Sequence, residues 1–152
     1  MKKDSNWINM TDMSGFLLYQ TYFSWKRKIE STLLPHELTH VQFILLMSLG
    51  FMMREGSEVT QNDLSRFTSF DVTMTSQVLR LLEKRGFIKR SQKIGDERSK
   101  FPKLTTEGIN KIKTASADLM EAEKCFFECL KGQKQEFDTF LRRILKHQVV
   151  VV

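Results

Sequence analysis

Lys89, Arg90, Lys93, Arg98, Lys100 and Lys103 crowd one short segment that turns at Gly95-Asp96 and is bounded by the apolar pairs Phe87-Ile88 and Phe101/Leu104. Cations at this density on a hairpin suit the neutralisation of phosphates, which gives affinity without regard to base sequence. An arginine near a hairpin tip can also enter a narrow minor groove, where the negative potential is strongest. Arg98 is placed for that. Asp96, two residues before it, either holds the guanidinium in one orientation or is a turn residue beside Gly95. Catalysis has little support: there is no Gly-rich phosphate loop, no nucleophile motif, and only three His. No enzyme activity and no cofactor are expected.

The charge is concentrated. Residues 80–103 hold nine Lys/Arg and three acids, and the remaining fifteen bases and fifteen acids cancel, so this segment carries the whole formal +6 of the 152-residue chain. A local excess of this kind points to a polyanionic partner. The chain has an ordinary globular composition, with 41% hydrophobic and 28% charged residues. It lacks an apolar run long enough to span a membrane. "MKKDSNWINM" has no apolar run of the signal-peptide kind, and two Cys are too few for a disulfide scaffold. A cytoplasmic protein of one domain, residues 1–152, is expected.

The elements that must position the hairpin follow from periodicity and caps. Residues 12–34 read as a helix with Phe16, Leu17, Tyr19, Tyr22, Phe23, Ile29 and Leu33 at helical spacing, ended by Pro35. Thr39 with Gln42 fits a capping box ahead of "VQFILLMSLGFMM", a buried central helix ending near Arg54. "EVT" at 58–60 could make a short strand. Thr60 with Asp63 caps a short helix, and Asp71 caps another from Val72 to Arg85, stopped by Gly86. Strands are expected near 87–92 and 99–104, the second with Pro102 on a free edge. Thr105 starts a long helix with Ile109, Ile112, Leu119, Met120, Phe126, Phe127 and Leu130 as its apolar stripe. Gly132 interrupts it, and a last helix carries Phe137, Phe140, Leu141, Ile144 and Leu145. The fold class is therefore mainly α with a small β wing: a winged helix-turn-helix lobe over 55–105.

The helix opening at Asp71 offers Thr73, Thr75, Ser76, Gln77 and Arg80. These side chains can read base edges if this helix enters a major groove; otherwise they are a solvated helix face. The basic hairpin beside them favours the first reading.

These residues resemble the multiple-antibiotic-resistance regulator (MarR) family of bacterial winged-helix repressors. The resemblance covers roughly 12–148 and is sharpest in "VTQNDLSRF", "TSQVLRLLEKRGFIKR" and "DERSKFPKLTTEG". The family's Asp-x-Arg and Leu-Thr-x-x-Gly fall on Asp96, Arg98, Leu104, Thr105 and Gly108. Pro102 stands where relatives have a strand former, which bears on the length of the second wing strand. The resemblance implies a homodimer knitted by helices in 12–34 and 106–148, a pseudo-palindromic double-stranded DNA operator, Arg98 in the minor groove and Asp96 as its partner. It also implies release of DNA by a small aromatic or lipophilic effector bound between the lobe and the dimerisation helices. Phe16, Tyr19, Tyr22, Phe23, Phe43 and Met47 are the candidate lining, unless they simply fill the core.

Peroxide-sensing relatives have a reactive Cys where this chain has Gly15, so that mechanism does not transfer. Cys125 and Cys129, four apart on a helix, read as buried packing residues. Zinc-sensing relatives have a Glu-His pair at the positions of Phe43-Ile44. His36, Glu37 and His40 are a weak metal signal, and no metal site is expected. The competing function is a winged-helix module whose basic wing docks an acidic protein.

Overall fold

The computed structural model describes residues 9–149 apart from Ser57, Ile94 and Gly95, with side chains outside 91–100 and 148–149. Among the described residues, six α-helices follow one another: α1 (Ser14–Leu33), α2 (His40–Arg54), α3 (Gln61–Thr68), α4 (Val72–Lys84), α5 (Thr106–Phe127) and α6 (Lys134–Val149). Between α4 and α5 an antiparallel hairpin is formed by β1 (Ile88–Lys93) and β2 (Asp96–Leu104). This is the winged helix-turn-helix with flanking terminal helices.

The caps are local chemistry and form as their spacing predicts. The Thr39 hydroxyl accepts the Gln42 N–H at 3.2 Å while the Gln42 amide oxygen accepts the Thr39 N–H at 3.1 Å. Thr60 and Asp63 make the same reciprocal box at the start of α3. The Asp71 carboxylate accepts from the backbone of Thr73 and Met74 at 2.8 and 3.0 Å. Gly86 ends α4 at φ 76°, a left-handed turn that glycine takes without a Cβ clash.

Three expectations change. Residues 58–60 form no strand: Val59 is buried in the core and the Thr60 N–H is donated to the Asp63 carboxylate. The second wing strand is longer than its composition predicts and runs through Pro102, which pairs with Arg90. A two-stranded ladder leaves each strand one free edge, so a residue without an N–H is tolerated. The break between α5 and α6 falls at Lys131, with φ 49° and ψ −126°, immediately before Gly132.

The core is built around α2. Phe43, Leu45, Leu46 and Leu49 pack with Ile29 and Leu33 of α1, Leu64 of α3, Leu79 and Leu82 of α4, Ile88 of β1 and Ala115 of α5. Helix α5 buries its large residues only in part: Ile112 and Leu119 pack half-buried against the core. Its buried positions are Gly108, Ala115 and Ala122, seven apart, while Ile109 and Met120 are exposed. Small side chains let α5 lie close on its neighbours, so the stripe of larger residues read from sequence faces partly outward. The same holds for α1, where Leu17, Tyr19, Tyr22 and Phe23 remain exposed. Helix α6 packs mainly against the turn that precedes it, and no residue from 134 to 147 is buried.

The α1–α2 corner is tied to α5 by polar contacts. The Trp25 indole donates to Glu123 at 3.1 Å, the His36 Nε2 meets Asp118 at 2.8 Å, and Lys111 donates to the His36 carbonyl at 3.3 Å. His40, buried at 6% exposure, sets its ring edge-on to Trp25 with centroids 5.1 Å apart. Burial pushes its pKa below the usual imidazole value; Glu30 opposes this and Lys26 adds to it.

Two predictions follow from these contacts. The Thr60 hydroxyl, then the Thr60 N–H and Arg66, hold the Asp63 carboxyl below the usual carboxylate range. Asp63→Ala should cost about 0.5–2 kcal/mol at neutral pH in urea unfolding. That cost should shrink as pH falls through the lowered pKa, because the folded-state advantage of the ionised form exists only above it. His40 titrates with the opposite group type and the same direction. Its folded pKa lies below the unfolded one, so the unfolded chain binds more protons and stability declines as pH falls below about 6.5. Urea midpoints compared at pH 7.5 and 5.5 should fall less in His40→Phe than in the wild type; equal falls would remove His40 from the acid response.

Candidate nucleic-acid interface

Helices α3 and α4 meet across a tight turn. Ser69 adopts φ 56°, the Phe70 N–H donates to the Ser65 carbonyl at 3.1 Å, and the Ser65 hydroxyl donates to the Phe70 carbonyl at 2.7 Å. Helix α4 then divides by face, although Val72 and Leu81 remain exposed. Leu79 and Leu82 bury one side, and Thr75 shares it. Thr73, Gln77 and Arg80, spaced by four and three, form an exposed stripe on the other. Ser76 is half-buried between them.

Thr75 is therefore corrected. Its side chain has no exposure and its hydroxyl donates to the Asp71 carbonyl at 2.9 Å, so it holds the first turn of α4 and cannot reach a base. The signal was present in the sequence: positions 75, 79 and 82 share the spacing of the apolar face.

The wing presents a like-charge pair. Lys89 of β1 lies directly opposite Lys103 of β2, and both are exposed. Like charges facing across a ladder are unfavourable until an anion lies against them. Lys103 is thus a candidate phosphate contact on geometry as well as on charge. The side chains of Lys93, Asp96, Arg98 and Lys100 lie outside those described; the backbone places all four on β1 or β2, with Lys93 paired to Asp96 and a register shift between Gln92 and Lys93.

Two cations of the basic segment turn inward. Arg90 retains only 10% side-chain exposure and pairs with Glu83 of α4, so its assignment as a phosphate contact is corrected. Arg85 donates to the Glu37 carbonyl at 2.7 Å and to the Gln42 side chain at 3.3 Å, with its guanidinium 4.8 Å from the centre of the Phe87 ring. Both acceptor segments are distant in sequence, so no local pattern shows this use.

The six candidate effector-lining residues are divided between α1 and α2. Phe16, Tyr19, Tyr22 and Phe23 form a chain of ring contacts along α1, with Tyr19 and Phe23 centred 4.6 Å apart. The last three of them are exposed. Phe43 is part of the core, and Met47 is exposed on α2, where its sulfur accepts from Ser116. A cavity of about 590 Å³ lies elsewhere, at the end of α5, lined by Leu119, Met120, Cys125, Phe127, Lys131 and Lys134 among others. Cys125 and Cys129 are free and exposed within the chain, which overturns their reading as buried packing residues; the close-packed face of α5 passes through Ala115 and Ala122 instead. His36 and His40 diverge to Asp118 and Trp25, and among the described residues no group of three or more His, Cys, Asp or Glu could hold a metal ion. No described helix is long and apolar enough to cross a membrane.

Comparison with known proteins agrees with this architecture. Residues 38–100 match the MarR family. The uncharacterized HTH-type transcriptional regulator YdcH of Bacillus subtilis (strain 168) is 40% identical over 134 residues, covering 88% of this chain and 90% of the relative. Among solved structures, the MepR–DNA complex of S. aureus superposes with a TM-score of 0.78 at 25% identity, covering 89% of this chain and 98% of that one. A MarR family protein of Mycobacterium tuberculosis in complex with salicylic acid gives 0.68 at 26% identity, covering 87% and 96%. With a helix-turn-helix, a basic wing and relatives of this closeness, the chain belongs to the MarR family and is a DNA-binding transcriptional regulator, not an enzyme.

Proposed function

We propose that the chain is a homodimeric, ligand-responsive repressor that reads a pseudo-palindromic operator. The observation that carries the DNA-reading half is the exposed stripe Thr73–Gln77–Arg80 on α4 beside the facing lysines 89 and 103 of the wing. In this reading α4 enters the major groove, where Gln77 pairs with adenine and Arg80 with guanine or a phosphate. Lys89, Lys93, Lys100 and Lys103 lie along phosphates. Arg98, steadied by Asp96, probes the minor groove. The lobe over 55–105 does the reading, and the helices within 12–34 and 106–148 hold the dimer.

Dimerisation is supported by apolar surface that one chain leaves uncovered. Met120 is 73% exposed and Leu145 67%, and Ile144, Phe140, Leu17 and Leu18 are exposed with them on the terminal helices. Large apolar side chains left exposed in this number on the terminal helices suit an interaction site. Two α4 helices facing one side of a duplex would place the half-sites about 34–36 Å apart. An effector of small aromatic or lipophilic character is supported by the aromatic run along α1 and by the salicylic acid held by the mycobacterial relative.

The test is fluorescence anisotropy over a salt series, on a duplex selected by the wild-type chain from a random pool and on its scrambled version. Lys89→Ala and Lys103→Ala should each weaken both duplexes alike and flatten the slope of log affinity against log salt by about one. Gln77→Ala and Arg80→Ala should cost about 1–3 kcal/mol on the selected duplex and relax base preference. If none of these changes either quantity, the face is not a DNA interface, and docking of an acidic protein becomes the better account.

The double variant Ile144→Glu/Leu145→Glu tests the dimer. It should sediment as a folded monomer, because these side chains are exposed on a helix that contributes little to the chain's own core. An unchanged dimer would place the interface elsewhere.

A further inference from the structure

The geometry points to Glu83 and Arg90 as a positioning pair that sets the distance between the recognition helix and the wing, and so fixes which flanking base pairs the wing meets when α4 is seated. The inference rests on the reading of α4 and the wing as the two DNA-contacting elements.

Arg90 belongs to β1 and Glu83 to the last turn of α4. The guanidinium spans the gap between them. Its Nε faces the Glu83 Oε2 at 3.3 Å as an ion pair without an aligned hydrogen bond, and its Nη2 donates to the Ser76 carbonyl at 3.4 Å. Ser76 and Glu83 are seven residues apart, two turns of one helix face. One side chain from the wing therefore grips α4 at two heights. A single contact would leave the strand free to pivot; two fix its angle as well as its distance. Arginine suits this use because its planar fork carries several donors in a rigid array, whereas lysine offers one compact charge.

Burial gives the contact its leverage. The Arg90 side chain is 10% exposed and its Nε has no water-facing surface, so loss of Glu83 leaves a buried cation without its counter-charge. On the same ladder Arg90 pairs with buried Pro102 while the neighbouring pair, Lys89 and Lys103, points outward. The alternation of the strand thus separates the two tasks: the outward pair meets phosphates and the inward residue sets where that pair stands.

The sign of the effect separates this role from simple charge. Glu83 is an acid, 41% exposed, on a helix read as lying against DNA. If it were only a surface charge, Glu83→Gln would remove repulsion, tighten binding to every duplex and steepen the salt dependence. A positioning role predicts the reverse.

The experiment uses the full chain with the selected and scrambled duplexes, plus a third in which only the base pairs flanking the half-sites are changed. Hydrogen exchange of the β1 and β2 amides is followed without DNA. Glu83→Gln is expected to bind the selected duplex about tenfold more weakly, to bind the scrambled one nearly as wild type, to lose discrimination against altered flanks, to keep the salt slope, and to exchange its wing amides faster. Arg90→Lys, which keeps the charge and loses the second grip, should lie between. Tighter binding by Glu83→Gln to all three duplexes with unchanged wing exchange would overturn the inference. If Glu83→Gln fails to fold, Arg90→Lys decides by the same readouts, and wild-type discrimination with wild-type exchange overturns it. Should Lys89→Ala leave the salt slope unchanged while Glu83→Gln speeds wing exchange, the DNA-face reading fails and the inference fails with it as a specificity device, the clamp remaining only as a structural contact.

Discussion

Thr105 stands where four element ends converge. Its hydroxyl donates to the Gly86 carbonyl at 2.6 Å and accepts the Gly108 N–H at 3.0 Å, and its own N–H donates to the Phe87 carbonyl at 3.1 Å. The end of α4, the start of β1, the end of β2 and the start of α5 are thereby held at one point. The arrangement needs bare backbone: a Cβ on Gly108 would collide with the Phe87 carbonyl oxygen. The Leu-Thr-x-x-Gly pattern is thus a physical requirement, with the threonine closing the wing and capping the next helix, and the glycine admitting the strand. A wing tied at its base can be long and highly charged at its tip without straying from the helix beside it.

The lobe and the terminal helices depend on different chemistry. In the lobe, large apolar side chains from α2, α3, α4 and β1 meet in one core. Where α5 meets its neighbours, small residues allow close approach, and named polar contacts from Trp25, His36 and Lys111 set the position along the seam. The inward-turned Arg85 adds a link from the end of α4 to the α1–α2 corner at Glu37 and Gln42. Among the described side chains the basic segment therefore does two jobs: Arg80, Lys84, Lys89 and Lys103 are exposed, while Arg85 and Arg90 brace the frame that carries them.

What could be read from sequence was what local spacing decides. The caps at Thr39, Thr60 and Asp71 and the stop at Gly86 depend on residues within a few positions of one another. What could not be read depends on how one element lies against another. Arg90 and Lys89 are adjacent cations of one strand, yet one is buried against Glu83 and the other is exposed. The strand's alternation separates them only once the wing is known to lean on α4. Cys125 looked buried because large apolar residues crowd its helix; α5 inverts that rule by burying glycine and alanine.

The buried Gly108–Ala115–Ala122 line has a genetic consequence. Helix α5 is 22 residues long, about 33 Å, and stiff over that length. Its first turn is fixed to the wing through Thr105 and its later turns lie against α1. Enlarging Ala115 or Ala122 would lever the helix away from its seat and tilt the wing anchor at the far end. Variants that lose DNA binding are therefore expected to arise along this line of small residues, at positions buried inside the chain.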